Sequence, residues 1–98
     1  MQKVKASKWD PAEIIETKED VVAFLEEALE ENDLEFLFKT IGYIARSKGM
    51  AQIARELNLN REGLYTALSP QGNPSFTTVF KVLDNLGYQL NVRQKVPA

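Results

Sequence analysis

The stretch from Gly49 to Leu68 constrains the fold of this 98-residue chain more than any other part of the sequence. Apolar residues recur at helical spacing on both sides of a polar turn, and Asn60 is placed to cap the helix that follows the turn. This pattern predicts two short helices with the following side chains facing inward: Ile53, Ala54, Leu57, Leu64 and Leu68. Two short helices joined by a tight turn are the layout of a helix-turn-helix, whose second helix enters the major groove of DNA. We therefore predict sequence-specific DNA binding.

The second helix of this stretch offers four side chains that can reach base edges. Arg61 can donate two parallel hydrogen bonds to guanine, and Glu62 can accept one from the cytosine amine. Tyr65 and Thr66 follow one turn later, where a ring or a methyl group can meet a thymine methyl or a phosphate. A second set carries amide, hydroxyl or cationic groups that suit DNA phosphates and would position the protein: Gln52, Arg55, Asn60, Thr77 and Lys81.

The same residues also have simpler interpretations. Asn60 can be only a helix cap, Arg61 only an exposed residue of a first turn, and Tyr65 only part of the core. Agreement between features favours DNA binding, because the turn is polar, Ala54 is small where the helices must approach, Gly63 permits another close approach, and this half of the chain is basic.

The net charge of −2 conceals a strong asymmetry. Residues 1–37 carry four basic and eleven acidic side chains, a net charge of −7, whereas residues 38–98 carry eight basic and three acidic ones, a net charge of +5. The fields of the two halves would attract different surfaces, so the sequence indicates two partners of opposite charge. The alternative is that the acids only form a solvated helix face.

Two helices are predicted in the acidic half. Thr17 and Asp20 have the spacing of a capping box, and the helix that they start runs to Glu31 and Asn32. Asp33 can cap the next helix, which ends at Lys48 before Gly49. The apolar residues expected in the core of this pair are Val21, Val22, Phe24, Leu25, Ala28, Leu29, Leu34, Leu37, Phe38, Ile41, Ile44 and Ala45. Gly42, in mid-helix, is expected to allow close packing.

The ends of the chain and the residues after the central stretch complete the fold. Asp10–Glu13 can form a single helical turn, while Trp9 is expected to pack or, alternatively, to anchor a partner. Ser75 caps a helix over 76–86, whose expected core stripe is Phe76, Val79, Phe80, Val82, Leu83 and Leu86. Residues 88–94 alternate like a half-buried strand, so they are expected to lie on the surface as an extended tail or to pair with a second copy. A homodimer would then use either this tail or helix 76–86.

The sequence thus predicts one all-α domain over residues 1–98. Its parts are an N-terminal arm (1–16), an acidic helical pair (17–47), the helix-turn-helix with a packing helix (49–86) and a C-terminal tail (87–98). The chain has no His and no Cys, so we expect no cofactor, no metal site and no catalysis. No apolar run approaches the roughly 18 residues of a membrane span, and no signal peptide is evident, which predicts a cytoplasmic protein.

Three segments carry a resemblance to a known family: Gly49–Ala54, Asn60–Ser69 and Gly72–Phe76. Over about residues 9–92 the chain resembles the DNA-binding antidote proteins of the HigA-like addiction-module family, relatives of phage Cro and lambda-type repressors. The resemblance implies a five-helix lambda-repressor-like bundle, a homodimer on a palindromic operator, and a RelE- or ParE-like toxin as partner. Gly63 departs from the Ser found in many relatives, which removes one hydroxyl that could contact a phosphate.

We therefore predict an antitoxin that represses its own operon. RelE-like toxins resemble basic RNA-binding proteins, so the acidic residues expected to bind the toxin are Glu26, Glu27, Glu30, Glu31 and Glu35. Two alternatives stay open. One is a stand-alone Cro-like repressor without a toxin, and the other is a helix-turn-helix fold used only for protein–protein interaction.

Overall fold

The structure is a computed structural model that describes residues 10–69 and 72–96. Within these ranges the chain forms six helices and no strand. They are α1 (Pro11–Ile14), α2 (Lys18–Glu30), α3 (Leu34–Lys48), α4 (Met50–Glu56), α5 (Arg61–Ala67) and α6 (Phe76–Asn85). The predicted all-helical class is confirmed, and the single turn expected near Pro11 is α1. Trp9, for which packing was expected, lies outside the described residues.

Short polar side chains start the helices as the sequence predicted. The Thr17 hydroxyl accepts a hydrogen bond from the Asp20 N–H at 3.1 Å, and the Asp20 carboxylate accepts one from the Thr17 N–H at 3.1 Å. This reciprocal pair is the predicted capping box. Asp10, Asp33, Asn60 and Ser75 cap α1, α3, α5 and α6 in the same way through one side-chain oxygen each. Free amides at these helix starts are thereby satisfied.

The third helix, α3, is the centre of the fold. It packs against α1, α2, α4 and α6, and α4 in turn packs against α5. Phe36 and Ile41 of α3 are fully buried, as are Ile53 of α4, Leu68 after α5 and Val82 of α6. Burying each of these large apolar side chains contributes roughly 1.5–3 kcal/mol. One continuous core therefore joins the acidic helices to the basic ones.

Gly42 marks the closest approach within this core. A Cβ atom added there would lie 2.8 Å from the Leu68 carbonyl oxygen, so α3 and the end of α5 touch directly. The predicted close packing at this glycine is confirmed. The long helix α3 is thus held against the end of the helix-turn-helix segment by backbone contact as well as by side chains.

A buried hydroxyl is the one polar group in the core of the described residues. Thr40 of α3 is fully buried, and its Oγ1 has no hydrogen-bond partner. An unsatisfied buried hydroxyl costs roughly 1–3 kcal/mol. Thr40 therefore lowers the stability of α3 packing without any compensating contact in this part of the chain.

Five apolar side chains that were expected in the core are exposed, and the prediction was wrong for them: Val22, Leu29, Leu34, Phe76 and Phe80. Successive residues of a helix point about 100° apart, so at the edge of a buried face the next residue lies outside the contact with the neighbouring helix. Val22 and Leu29 follow the buried Val21 and Ala28 in this manner. Leu34 and Phe76 are the first residues of α3 and α6, and no described element covers them.

The residues after α6 leave the helical bundle. Gly87 adopts φ 93°, and the Tyr88 N–H donates to the Leu83 carbonyl at 2.9 Å. Residues 88–96 form neither helix nor strand, although Tyr88 and Leu90 pack against the core. No helix in the described part of the chain is long and apolar enough to cross a membrane.

Candidate functional site

The turn between α4 and α5 is compact and held by backbone hydrogen bonds. The Leu59 N–H donates to the Ala54 carbonyl at 2.7 Å, and Asn58 adopts the left-handed φ of 55°. Ala54 is buried, while Leu57 and Leu59 are half-buried against the core. Packing of these apolar residues fixes the angle between α4 and α5, which keeps the polar side of α5 directed outward.

All four side chains predicted to read bases are exposed on α5: Arg61, Glu62, Tyr65 and Thr66. Tyr65 is 46% exposed, so it is not a core residue, and the simpler interpretation of this ring is wrong. None of the four side chains forms a hydrogen bond or ion pair with another residue in the described ranges. The α5 surface is therefore polar and exposed, and its four side chains are unengaged within residues 10–69 and 72–96.

Asn60 serves as the cap of α5. Its Oδ1 accepts a hydrogen bond from the Gly63 N–H at 2.9 Å. The side-chain amide N–H groups are not used in this contact, so they remain able to donate to an outside acceptor. The cap and the predicted phosphate contact are thus compatible in one side chain.

The other predicted phosphate contacts are exposed too, on α4 and α6: Gln52, Arg55, Thr77 and Lys81. Gln52 already donates from Nε2 to the Glu56 carboxylate at 3.0 Å. This contact uses one of the two N–H groups of the amide, and it directs the side chain along α4. Thr77 and Lys81, four residues apart, share one face of α6.

Glu56 is the centre of a polar network that the sequence analysis missed. Its carboxylate accepts hydrogen bonds from Asn85 Nδ2 at 2.8 Å, Gln52 Nε2 at 3.0 Å and Lys48 Nζ at 3.2 Å. These bonds, from Asn85 first and then from Gln52 and Lys48, lower the pKa of Glu56 from 4.5 to about 2. The network joins the ends of α3, α4 and α6. Of the contacts in this network, only the one between Gln52 and Glu56 could have been predicted from the sequence, because the two residues are four apart in one helix.

The acidic residues predicted to bind a toxin lie on α2, at its end and on the first turn of α3. Four are exposed and Glu27 is half-buried. Glu35 pairs with Lys39 at 3.7 Å, and Glu30 pairs with Arg93 of the C-terminal segment at 3.7 Å. The Glu30–Arg93 pair is solvent-exposed and the Glu35–Lys39 pair is only partly buried, at Lys39, so each contributes little to stability. Val22 and Leu29 add apolar area, 42% and 47% exposed, to the same helix.

A second apolar surface lies on α6. Phe76 and Phe80 are 74% and 50% exposed, and their rings lie 6.2 Å apart in a tilted arrangement. Two neighbouring exposed phenylalanines form an unusual patch on a small protein, and such patches commonly mark contact surfaces. Among residues 10–69 and 72–96, no cluster of three or more carboxylates is placed to hold a metal ion.

Comparisons with known proteins agree over most of the chain. Residues 5–94 match the model of a family described as probable addiction module antidote proteins. An uncharacterized protein of Haemophilus influenzae is 44% identical over 86 residues, covering 88% of this chain and 89% of that protein. No solved structure matches the chain.

Proposed function

The chain belongs to the family of probable addiction module antidote proteins, and we propose that it is an antitoxin that binds a RelE- or ParE-like toxin and represses its own operon. The observation that carries the DNA-binding part is the exposed surface of α5, whose four polar side chains have no partner among the described residues. Solvent-facing polar side chains on the second helix of a helix-turn-helix are available to contact base edges and phosphates.

In this proposal α4 and α5 are the helix-turn-helix of a Cro- or lambda-repressor-like domain. Arg61 donates to guanine and Glu62 accepts from cytosine, while Tyr65 and Thr66 meet neighbouring bases. The phosphate contacts come from Gln52, Arg55, Asn60, Thr77 and Lys81. The Glu56 network supports this arrangement, because it holds Gln52 and ties the end of α4 to α6.

Operator recognition by such a fold uses two copies, so we include a homodimer in the proposal. Of the two interfaces considered, α6 is favoured by the exposed pair Phe76 and Phe80. Replacing both phenylalanines by Ser is expected to give a monomer in analytical sedimentation. If the measured mass were still that of a dimer, the C-terminal tail would be the interface instead.

The toxin would bind the acidic surface of α2. Glu26, Glu27, Glu30, Glu31 and Glu35 provide negative charge, and the half-exposed Val22 and Leu29 provide apolar contact area. Interfaces of this kind combine an apolar centre with a charged rim, which favours both affinity and fast association. We assign the protein no catalytic role and no cofactor, and both proposed partners place it in the cytoplasm.

The test measures both partners with one purified protein. A gel shift at low salt compares DNA from upstream of its own gene with unrelated DNA of equal length, and calorimetry measures binding of the protein encoded by the adjacent gene. We expect operator DNA to bind about 1,000-fold or more tightly than unrelated DNA, together with a clear heat of mixing. Absence of the heat alone would leave the stand-alone repressor. Absence of DNA preference alone would leave a protein-interaction domain.

A further inference from the structure

The two ends of α6 are attached to the rest of the fold in different ways. The helix packs against α3, and within the described residues neither α4 nor α5 packs extensively against it. Before its start the chain turns tightly after α5. The Gly72 N–H donates to the Ser69 carbonyl at 2.8 Å, and a Cβ on Gly72 would strike the Ala67 carbonyl. The other end of α6 is held by polar contacts.

Lys48, the last residue of α3, makes most of these polar contacts. Its Nζ donates to Asn85 Oδ1 at 2.7 Å, to the Asn85 carbonyl at 3.1 Å and to Glu56 Oε1 at 3.2 Å, three acceptors for the three N–H groups of an ammonium. A cation is favourable here, because the last carbonyls of a helix lack partners within it. Asn85 Nδ2 also donates to Glu56 Oε1 at 2.8 Å. We call Lys48, Glu56 and Asn85 the α6 clamp.

The direction of α6 matters because of what this helix carries in the proposed function. Phe76 and Phe80, which are 74% and 50% exposed, are the proposed contact with a second copy. A second copy docked on them moves with α6 as one body, so the direction of α6 sets where the α5 helix of that copy lies. Operator half-sites are about 34 Å apart, and at this distance a tilt of about 6° moves the helix by ~3.4 Å, one base pair.

From these contacts we infer that the α6 clamp sets the spacing of the two half-sites that a dimer reads. The inference rests on the proposed operator binding by a dimer formed through α6. Lys48 and Asn85 are positioning residues, because they act through α6 and not by touching DNA. With the clamp intact, α6 is fixed at both ends and the dimer fits one spacing. Without it, the end of α6 is free to tilt, and the two α5 helices adopt a range of separations.

Two substitutions break the clamp, Lys48→Met and Asn85→Ala. The first removes all three donors and keeps an unbranched side chain, whereas the second keeps the contact between Lys48 and Glu56. Lys39→Met is the matched control, because Lys39 lies on the same helix, its side chain is 28% exposed against 30% for Lys48, and it also pairs with a glutamate.

The experiment compares three DNA duplexes. Footprinting first locates the operator upstream of the gene. Affinities are then measured for this site, for the same site with one base pair inserted at its centre, and for a single half-site. Sedimentation checks that each variant is still a dimer.

We expect the inserted base pair to lower wild-type affinity about 10-fold or more, because the dimer no longer engages both half-sites together. In Lys48→Met the same insertion should cost less than about threefold, and Asn85→Ala should give an intermediate loss. Affinity for a single half-site should stay within about twofold of wild type in both variants, which a general loss of structure would not allow. Lys39→Met should behave like wild type on all three duplexes.

The outcomes separate the inference from the function on which it rests. Wild-type protein that does not prefer operator DNA would overturn the proposed function and the inference together. A dimer that persists when Phe76 and Phe80 are replaced would overturn the inference and leave operator binding intact. Wild-type tolerance of the inserted base pair would also overturn the inference alone.

The variants provide the remaining outcomes. Full discrimination against the inserted base pair in Lys48→Met would overturn the inference, and if that variant did not fold, full discrimination in Asn85→Ala would do so. A monomeric Lys48→Met would overturn it as well, because the clamp would then support the interface and not its direction. Lost discrimination in Lys39→Met would show that the effect comes from charge.

Discussion

The helices α2 and α5 show how one small core supports two surfaces of different chemistry. On α2, acidic side chains surround half-exposed aliphatic ones, whereas α5 exposes polar side chains. The α2 surface suits a partner that buries apolar area inside a ring of opposite charge. The α5 surface suits a partner recognised through hydrogen bonds at close range. The net charge of −2 is thus an average over two regions and describes neither of them.

The largest expected effect is a loss of partner affinity when the apolar residues of α2 are replaced. In the double variant Val22→Asp, Leu29→Asp, affinity for the protein encoded by the adjacent gene should fall at least about 30-fold, because buried apolar anchors dominate interfaces and a buried charge is costly. Operator affinity should not change. Calorimetry and gel shift check the two statements.

Val96→Asp is the matched control for this double variant, because it introduces the same side chain at an 88% exposed valine outside α2. It should leave partner affinity unchanged. If the double variant bound the partner within threefold of wild type, α2 would have no role in the contact, and its acids would be only a solvated face.

The next largest effect is a loss of operator affinity when Arg61 of α5 is replaced. Arg61→Ala should cost on the order of 1–3 kcal/mol of operator binding, about 5–150-fold, and should leave partner binding intact. Arg55→Ala, on α4, should instead weaken binding to all DNA and reduce the slope of log affinity against log salt by about 1. Equal losses on operator and unrelated DNA in Arg61→Ala would show that Arg61 contacts phosphate and not a base.

A smaller effect tests the core that both surfaces share. Thr40→Val should raise the free energy of unfolding by about 1 kcal/mol, because it replaces an unpaired buried hydroxyl by a methyl group of similar shape. Thermal denaturation measures the change, and both binding activities should persist. Thr17→Val makes the same substitution at the α2 cap and should lower stability by about 1 kcal/mol. A loss of stability in Thr40→Val would mean that the hydroxyl has an unseen partner.

The last effect is confined to the basic half and depends on pH. The pKa of Glu56 is lowered from 4.5 to about 2, so the unfolded state binds the proton more readily than the folded state between these values. The stabilisation from this carboxylate is complete above about pH 4.5 and is lost as the pH falls towards 2. Glu56→Gln should therefore be less stable than wild type at neutral pH, and the difference should shrink on acidification. Denaturation curves at several pH values would contradict this if the difference stayed constant.

The parts of this fold that follow local rules were predictable from the sequence. Thr17, Asp33, Asn60 and Ser75 were identified as caps because capping depends on a side chain and amides two or three residues away. The buried face of α6 was predicted to be wider than it is. Periodicity shows which side chains share a face but not how much of that face a neighbouring helix covers, and Phe76 was therefore assigned wrongly to the core.

The contacts that join distant segments were not predictable in the same way. Asn85 and Glu56 are 29 residues apart, and polar side chains of this kind form no periodic pattern. Exposure of the α5 side chains agrees with the predicted site, yet exposure alone does not identify a ligand. The roles of Arg61 and its neighbours therefore remain predictions that the substitutions above can test.

The contact at Gly42 has a consequence for engineering and for evolution. The two binding regions look like separable modules, and exchanging residues 1–47, which include the acidic helical pair, between relatives would be a natural way to change partner without changing operator. However, α3 connects the two regions. A Cβ on Gly42 of this helix would lie 2.8 Å from the Leu68 carbonyl at the end of α5. A recombinant with another residue at position 42 would displace α5, the helix proposed to contact DNA. Relatives can therefore exchange partner-binding or operator-binding segments only if α3 is kept unchanged.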